Sequence, residues 1–165
     1  MKTLSRKLAL TQLAINMIIQ CPTKEIENIL FADYLDEHGQ SLTYTSIFDG
    51  AVQIFLLDYF IDIKLKGYSN HYLKKYISDL YNEPITIIGD EDILYICPCC
   101  SYLTLEHQGQ YDVCPLCSWE DDGTLHHELD KYSVVNHSTL KQYKGKFEKQ
   151  KVNFINIPYK SGNDN

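Results

Sequence analysis

The sequence predicts an α+β protein with an N-terminal helical bundle, a small β element built around four cysteines, and a short C-terminal helix. Three observations lead to this prediction. Residues 5–80 carry apolar side chains mainly at helical spacing. Residues 85–113 contain short β-branched and aromatic runs around two cysteine pairs. Residues 137–150 return to a pattern that favours one short helix with a basic face.

Four helices are predicted before residue 84. Residues 5–20 place apolar side chains three and four positions apart, as an amphipathic helix requires. A second helix follows and stops at Gly39. Residues 46–65 are apolar on nearly every face, which predicts a central, buried helix. A fourth helix begins at a cap provided by Ser69 or Asn70.

Pro84 marks a change to short strands. The runs "ITIIG" and "ILYI" are β-branched or aromatic and are bounded by turn or charged residues. Near the end, "VNFINIP" alternates weakly like a strand, and the tail "KSGNDN" is expected to be disordered. We therefore expect a helical domain at 1–83, a cysteine-bearing domain at 84–150, and a terminal strand and tail at 151–165.

The most informative stretch holds five of the six cysteines. Two pairs share the pattern C-P-x-C, namely Cys97 with Cys100 and Cys114 with Cys117, and thirteen residues separate the pairs. Two tight turns that each present two thiolates can complete a tetrahedron around Zn²⁺. A structural zinc site fills all four positions and leaves none for a substrate. The sequence thus predicts one structural zinc ion on these four residues.

The segment between the pairs favours a hairpin, which is the layout of a zinc ribbon. "YLTL" and "YDV" alternate like strands on either side of a turn near Gly109. Leu103 and Leu105 would share one buried face, and Tyr111 and Val113 another.

Other uses of the cysteines are less favoured. Cys99 in place of Cys100 would give a tighter and less usual C-x-C clamp. Iron also suits four thiolates. His107, His126 and His127 lie close to the cysteines in sequence and are further candidate ligands. A redox pair would need a neighbouring βαβ pattern, and a reducing compartment disfavours disulfides.

"CPCCSYLTL" followed by "YDVCPLCSWEDDG" resembles the bacterial cysteine-rich CPCC family over about residues 97–147. The resemblance implies zinc binding and a bacterial host. It also suggests an association with immunity proteins that are encoded beside secreted toxins. The sequence departs from the family at Ser101, where the family tends to have Gly, and at Lys141 and Lys144 in the last helix.

The charge layout indicates what kind of partner would bind. Residues 76–130 contain twelve Asp or Glu and no Lys or Arg, within a net charge of −7. This opposes phosphate binding and favours a basic protein partner, such as a toxin domain. Trp119 beside Glu120, Asp121 and Asp122 would form an anchor with a charged rim. The alternative is that Trp119 simply packs over the zinc ribbon.

Catalysis is not expected. Three adjacent acids point in different directions, so they do not form a magnesium site, and no nucleophile has a base fixed beside it. The sequence shows no secretory signal and no membrane span, which favours a cytoplasmic protein. The runner-up is a zinc ribbon that binds nucleic acid through the C-terminal lysines, Lys141, Lys144, Lys146, Lys149 and Lys151.

Overall fold

The computed structural model describes residues 2–151 and 156–163. The chain divides into a first unit, Met1–Lys66 with Ile85–Gly89, and a second unit, Gly67–Pro84 with Asp90–Asn165. The predicted mixture of helices, small sheets, a central cysteine cluster and a C-terminal helix is confirmed. The domain limits expected from the sequence concern independent folding and stay a prediction.

The first unit packs helices beside a two-stranded parallel sheet. Its elements are β1 Lys2–Ser5, α1 Arg6–Gln20, α2 Thr23–Asp33, α3 Gly50–Tyr59 with a π-helical turn Phe60–Lys64, and β2 Ile85–Ile88. The core of this unit consists mainly of side chains at helical spacing on α1, α2 and α3, including Ala9, Leu13, Ile26, Leu30, Val52 and Leu56. The helix predicted at 5–20 is therefore confirmed, and so is the existence of the second helix. The predicted stop at Gly39 is wrong, because α2 ends at Asp33 and Tyr34 leaves the helical conformation.

The helix predicted at 46–65 is less buried than expected. It begins at Gly50 and buries Val52, Leu56 and Phe60, whereas Ile54 is 65% exposed and Ile63 is 60% exposed. The expectation of a helix buried on all sides is therefore wrong. An apolar pattern cannot say how many faces of a helix the rest of the chain covers.

The second unit carries the cysteines. Its elements are α4 Asn70–Tyr81, β3 Tyr95–Ile96, β4 Leu103–Leu105, β5 Tyr132–Ser133, β6 Ser138–Thr139 and α5 Leu140–Lys151. Ser69 is the N-cap of α4, since its Oγ accepts a hydrogen bond from the backbone N of Tyr72 at 3.1 Å. The predicted C-terminal helix is confirmed as α5.

The predicted hairpin between the two cysteine pairs is wrong. β4 pairs with β3, and Val113 forms a bridge with Glu120. Each C-P-x-C turn therefore lies between two extended segments that form backbone bridges with each other. Tyr111 and Val113 are 58% and 59% exposed, so they do not form the buried face that the alternating pattern indicated.

The end of the chain is more ordered than its composition predicts. Leu103 N donates to Lys160 O at 3.0 Å, and Gly162 N donates to Ser101 O at 2.8 Å. The expectation of a disordered tail is wrong for residues 160–163, because backbone pairing does not require apolar side chains. The strand predicted in "VNFINIP" falls partly at 152–155, outside the described residues, and 156–158 are not in a strand.

Among the residues that the structure describes, no helix combines the length and apolar character needed to cross a membrane.

Candidate metal centre

The two C-P-x-C turns adopt the same backbone conformation. In the first turn, Ser101 N donates to Cys97 O at 3.0 Å, and Cys97 N donates to Tyr102 O at 2.9 Å. The second turn repeats both bonds four and five residues after Cys114, at 2.8 Å each. The serine after each turn has a positive φ, 65° at Ser101 and 61° at Ser118. Each turn is thus a knuckle that presents its two cysteines on the same side.

The knuckles bring four sulfur atoms together. The Sγ atoms of Cys97, Cys100, Cys114 and Cys117 all lie within 4.8 Å of one another, and all four residues are buried. Cys97 Sγ lies 3.6 Å from Cys117 Sγ, and Cys100 Sγ lies 3.7 Å from Cys114 Sγ. A tetrahedral Zn²⁺ with Zn–S bonds of about 2.3 Å requires sulfurs about 3.8 Å apart. The donor set therefore fits a single metal ion.

The four sulfurs shift one another's pKa values. Hydrogen bonding to Cys100 raises the pKa of Cys97, and hydrogen bonding to Cys114 raises the pKa of Cys100. The pKa of Cys117 is also raised, whereas hydrogen bonding to Cys100 lowers that of Cys114. Four thiolates at these distances would repel one another. A divalent cation removes that repulsion and binds all four as thiolates.

An aromatic and aliphatic layer covers the sulfurs. Trp119, Leu140 and Phe147 are buried in one cluster with the cysteines. Tyr143 of α5 packs edge-on against Trp119, with ring centroids 5.1 Å apart, and its hydroxyl donates to Ser118 O at 3.0 Å. The site is therefore surrounded by protein.

Residues 95–152 match the model of the cysteine-rich CPCC family. The predicted resemblance over residues 97–147 is thereby confirmed, and the match spans about a third of the chain. No curated protein and no solved structure matches the chain.

The departure from the CPCC pattern at Ser101 does not change the knuckle. Ser101 adopts the left-handed conformation that a glycine would adopt there, as does Ser118 in the second knuckle. The departures in the last helix are at Lys141 and Lys144, neither of which belongs to the group of four sulfurs. Lys141 pairs with Asp130 at 3.8 Å, while Lys144 lines a cleft beside the first knuckle.

The remaining candidate ligands are outside the sulfur group. Cys99 is buried, 4% exposed, yet it does not belong to the group of four. His107 lies against Asp112, with Nδ1 and Oδ2 3.3 Å apart. His126 and His127 pack against each other. The ligand register with Cys100 therefore agrees with the geometry.

Thr104 is a contributor that the sequence analysis missed. Its Oγ1 lies 3.1 Å from Cys114 Sγ, within hydrogen-bonding distance. The alternating pattern assigned the buried face of this strand to Leu103 and Leu105, but Thr104 is only 7% exposed. A hydroxyl that donates to a thiolate favours its charged form.

The residues expected to bind a partner have structural contacts. Trp119 is 0% exposed and is buried in one cluster with the cysteines. To act as an anchor it would have to leave this core, so that role stays a prediction. Asp121 is 4% exposed and accepts hydrogen bonds from Gly109 N at 2.7 Å and Gly123 N at 3.3 Å.

Glu120 and Asp122 flank that buried carboxylate. The backbone of Glu120 exchanges two hydrogen bonds with the Asn136 side chain, at 2.9 and 2.8 Å. Burial would raise the pKa of Asp122, but hydrogen bonds from Thr124 and Ser133 outweigh it and lower that pKa. The acidic run therefore makes hydrogen bonds that hold the backbone following the second knuckle.

Proposed function

We propose that this chain is a non-catalytic, zinc-stabilised binding protein, and specifically an immunity protein that neutralises a basic bacterial toxin. The observation that carries the proposal is the closed group of four buried sulfurs, Cys97, Cys100, Cys114 and Cys117. A closed site of this kind holds the backbone in place and offers no position to a substrate.

Zinc is the proposed metal, although four thiolates also suit iron. Zn²⁺ is the usual ion of four-cysteine structural sites. The cytoplasm is the proposed compartment, since a reducing environment keeps the thiols unbridged. None of the six cysteines, which all lie within the described residues, forms a disulfide, in agreement with that choice.

The choice of a basic protein partner is supported by charge. Residues 76–130 have twelve acids and no Lys or Arg. Four thiolates around Zn²⁺ add a further net negative charge of about two. Such a surface attracts basic proteins and speeds their association. An immunity protein acts by covering the basic face with which a nuclease toxin meets its substrate.

One observation favours nucleic-acid binding as the second candidate. α5 carries five lysines and a single acid, Glu148. Part of this charge is used within the unit, because Lys146 and Lys151 lie over the rings of Tyr143 and Tyr102 at 5.9 and 5.4 Å.

Metal analysis and affinity purification test the two parts of the proposal. Elemental analysis of the purified protein should find one zinc ion per chain, and the Cys114→Ser variant should bind no zinc. An iron signal, or no metal, would refute the zinc assignment.

Tagged protein purified from its native host should bring down a basic toxin, and co-expression should restore growth of cells that produce that toxin. Recovery of nucleic acid alone would favour the second candidate.

A further inference from the structure

The acids of the first unit are concentrated in one segment. Residues 25–62 contain eight Asp or Glu and no Lys or Arg. Six of these acids are exposed and two are half-buried. Residues 1–75 contain eight Lys or Arg and eight Asp or Glu, so this balance conceals a local excess of eight negative charges on α2, α3, the loop between them and the π-helical turn.

Four aromatic side chains form a continuous row on the same segment. Tyr44 packs against Tyr34 with ring centroids 6.3 Å apart, Tyr34 packs against Phe55 at 5.0 Å, and Phe55 packs against Tyr59 at 5.9 Å. Tyr44 is 39% exposed, and the other three are half-buried. We call these four residues the aromatic row.

The loop that carries Tyr44 is held by its own hydrogen bonds. Asp49 Oδ2 accepts from Thr45 N at 2.9 Å and from Ser46 N at 3.0 Å. Leu42 N donates to Tyr34 O at 3.0 Å, which ties the loop to the end of α2. The row is therefore arranged before any partner arrives, which reduces the entropy cost of binding.

One carboxylate and one lysine lie beside the Tyr59 ring of the row, and exposed apolar side chains lie elsewhere on the same segment. Asp33 accepts a hydrogen bond from the Tyr59 hydroxyl. Lys64 Nζ lies 6.0 Å from the centre of the Tyr59 ring, so a cation already sits over one ring of the row. Large apolar side chains on the same segment are strongly exposed, with Phe31 at 84%, Phe48 at 79% and Ile54 at 65%.

We infer that the aromatic row and the acids around it form the docking surface for an arginine-bearing segment of a basic partner protein. Guanidinium groups stack on aromatic faces and pair with carboxylates in a fixed geometry, which lysine does not match. A nucleic acid or a second copy of this chain, whose net charge is −7, would bring negative charge against this acidic segment. This inference rests on the proposed function, for which it supplies a surface separate from the buried Trp119.

A peptide titration followed by NMR locates the surface. The ¹⁵N- and ¹³C-labelled full-length protein is titrated with nona-arginine, with nona-lysine, and with a single-stranded 20-nucleotide DNA. We expect nona-arginine to shift the resonances of the aromatic row at lower concentration than nona-lysine, and the DNA to leave them unchanged. Shifts of the row by the DNA, or no shift by either peptide, would overturn the inference.

Two exposed tyrosines provide a matched pair of variants. Tyr44→Ala should weaken nona-arginine binding about three- to tenfold, the range expected for one stacked guanidinium. Tyr132→Ala, in the second unit and 58% exposed, should leave it unchanged, and circular dichroism checks that both variants fold. Equal effects in the two variants would refute the inference.

NMR resonance shifts confined to residues 106–130 would refute this surface and leave the proposal of a basic partner in place. Binding at the row together with failure of the growth-rescue experiment would refute only the immunity role.

Discussion

Cys97 Sγ and Cys117 Sγ lie 3.6 Å apart although they are twenty positions apart in sequence. This contact joins the first cysteine of one knuckle to the last cysteine of the other. Cys100 and Cys114 make the complementary approach at 3.7 Å. Both knuckles therefore supply one sulfur to each close pair, and removing a single cysteine should disturb the whole site.

Cys100 and Cys99 provide the sharpest test of the ligand register. Cys100→Ser should lower bound zinc well below one ion per chain and reduce the free energy of unfolding by about 3 kcal/mol or more, because metal binding and folding are coupled. For a chain of this size, that loss corresponds to a melting temperature lower by about 6–12 °C. Elemental analysis and differential scanning calorimetry measure the two effects.

Cys99→Ser is the matched control, because Cys99 is equally buried and lies in the same knuckle. It should keep one zinc ion and lose only the modest packing energy of a buried thiol. Loss of zinc from the Cys99 variant with retention in the Cys100 variant would show that the C-x-C register is the real one.

Metal affinity should fall as the pH falls. The pKa values of Cys97, Cys100 and Cys117 are raised by their neighbours, and that of Cys114 is lowered. At neutral pH without metal, three of the four sulfurs thus carry protons, which an incoming ion must displace. Binding should release about three protons, so affinity should drop up to about a thousandfold per pH unit on acidification.

The free energy of unfolding should also fall as the pH falls. Bound thiolates have a pKa below that of a thiol in the unfolded chain, about 8.5, so the stabilisation due to metal is present at high pH and is lost as the pH falls. Calorimetric titration in buffers with different ionisation heats counts the protons, and competition with a chromophoric chelator gives the affinity. An affinity that stays constant between pH 6 and 8 would contradict the four-thiolate site.

The sequence predicted the parts of the site that depend on local spacing. Two C-P-x-C turns present two sulfurs each whatever the rest of the chain does, so the four ligands could be named without a structure. The helical periodicity of α1, α2 and α4 was equally local.

The errors concern pairings between distant residues. β1 pairs in parallel with β2, with Lys2 opposite Ile85, and nothing in "KTLS" predicts that partner. The β4 strand was assigned to the wrong neighbour because alternation gives a strand two faces but does not say which chain lies beside it. The sequence left two roles open for Trp119, partner anchor and buried packing residue, because its burial depends on how α5 packs against it.

Asp121 should contribute to stability without contributing to metal binding. Its buried carboxylate accepts from Gly109 N and Gly123 N, and both glycines have positive φ, 64° and 81°. Asp121→Asn replaces charged acceptors with an amide whose NH₂ group cannot accept. The free energy of unfolding should fall by about 1–3 kcal/mol, or about 2–12 °C in melting temperature.

Glu120→Gln is the control for this change, because the hydrogen bonds of Glu120 to Asn136 use its backbone. Glu120→Gln should leave the melting temperature within about 2 °C of that of the unmodified protein. Zinc content should stay at one ion per chain in both variants, as elemental analysis can verify. Loss of zinc from the Asp121 variant would mean that this carboxylate takes part in the metal site.

Ser101→Gly should make the protein more stable. Ser101 has a φ of 65°, where an L-residue costs about 1–2 kcal/mol, and its backbone oxygen must also accept from Gly162 N. Glycine removes that strain but adds about 0.5–1 kcal/mol of chain entropy in the unfolded state, so a net gain of about 0.5–1 kcal/mol is expected. Thermal unfolding of the zinc-loaded protein measures it, with Ser101→Ala as the control that keeps Cβ and should show no gain. If alanine stabilised the knuckle as much as glycine, the serine hydroxyl and not the left-handed backbone would be the source of strain.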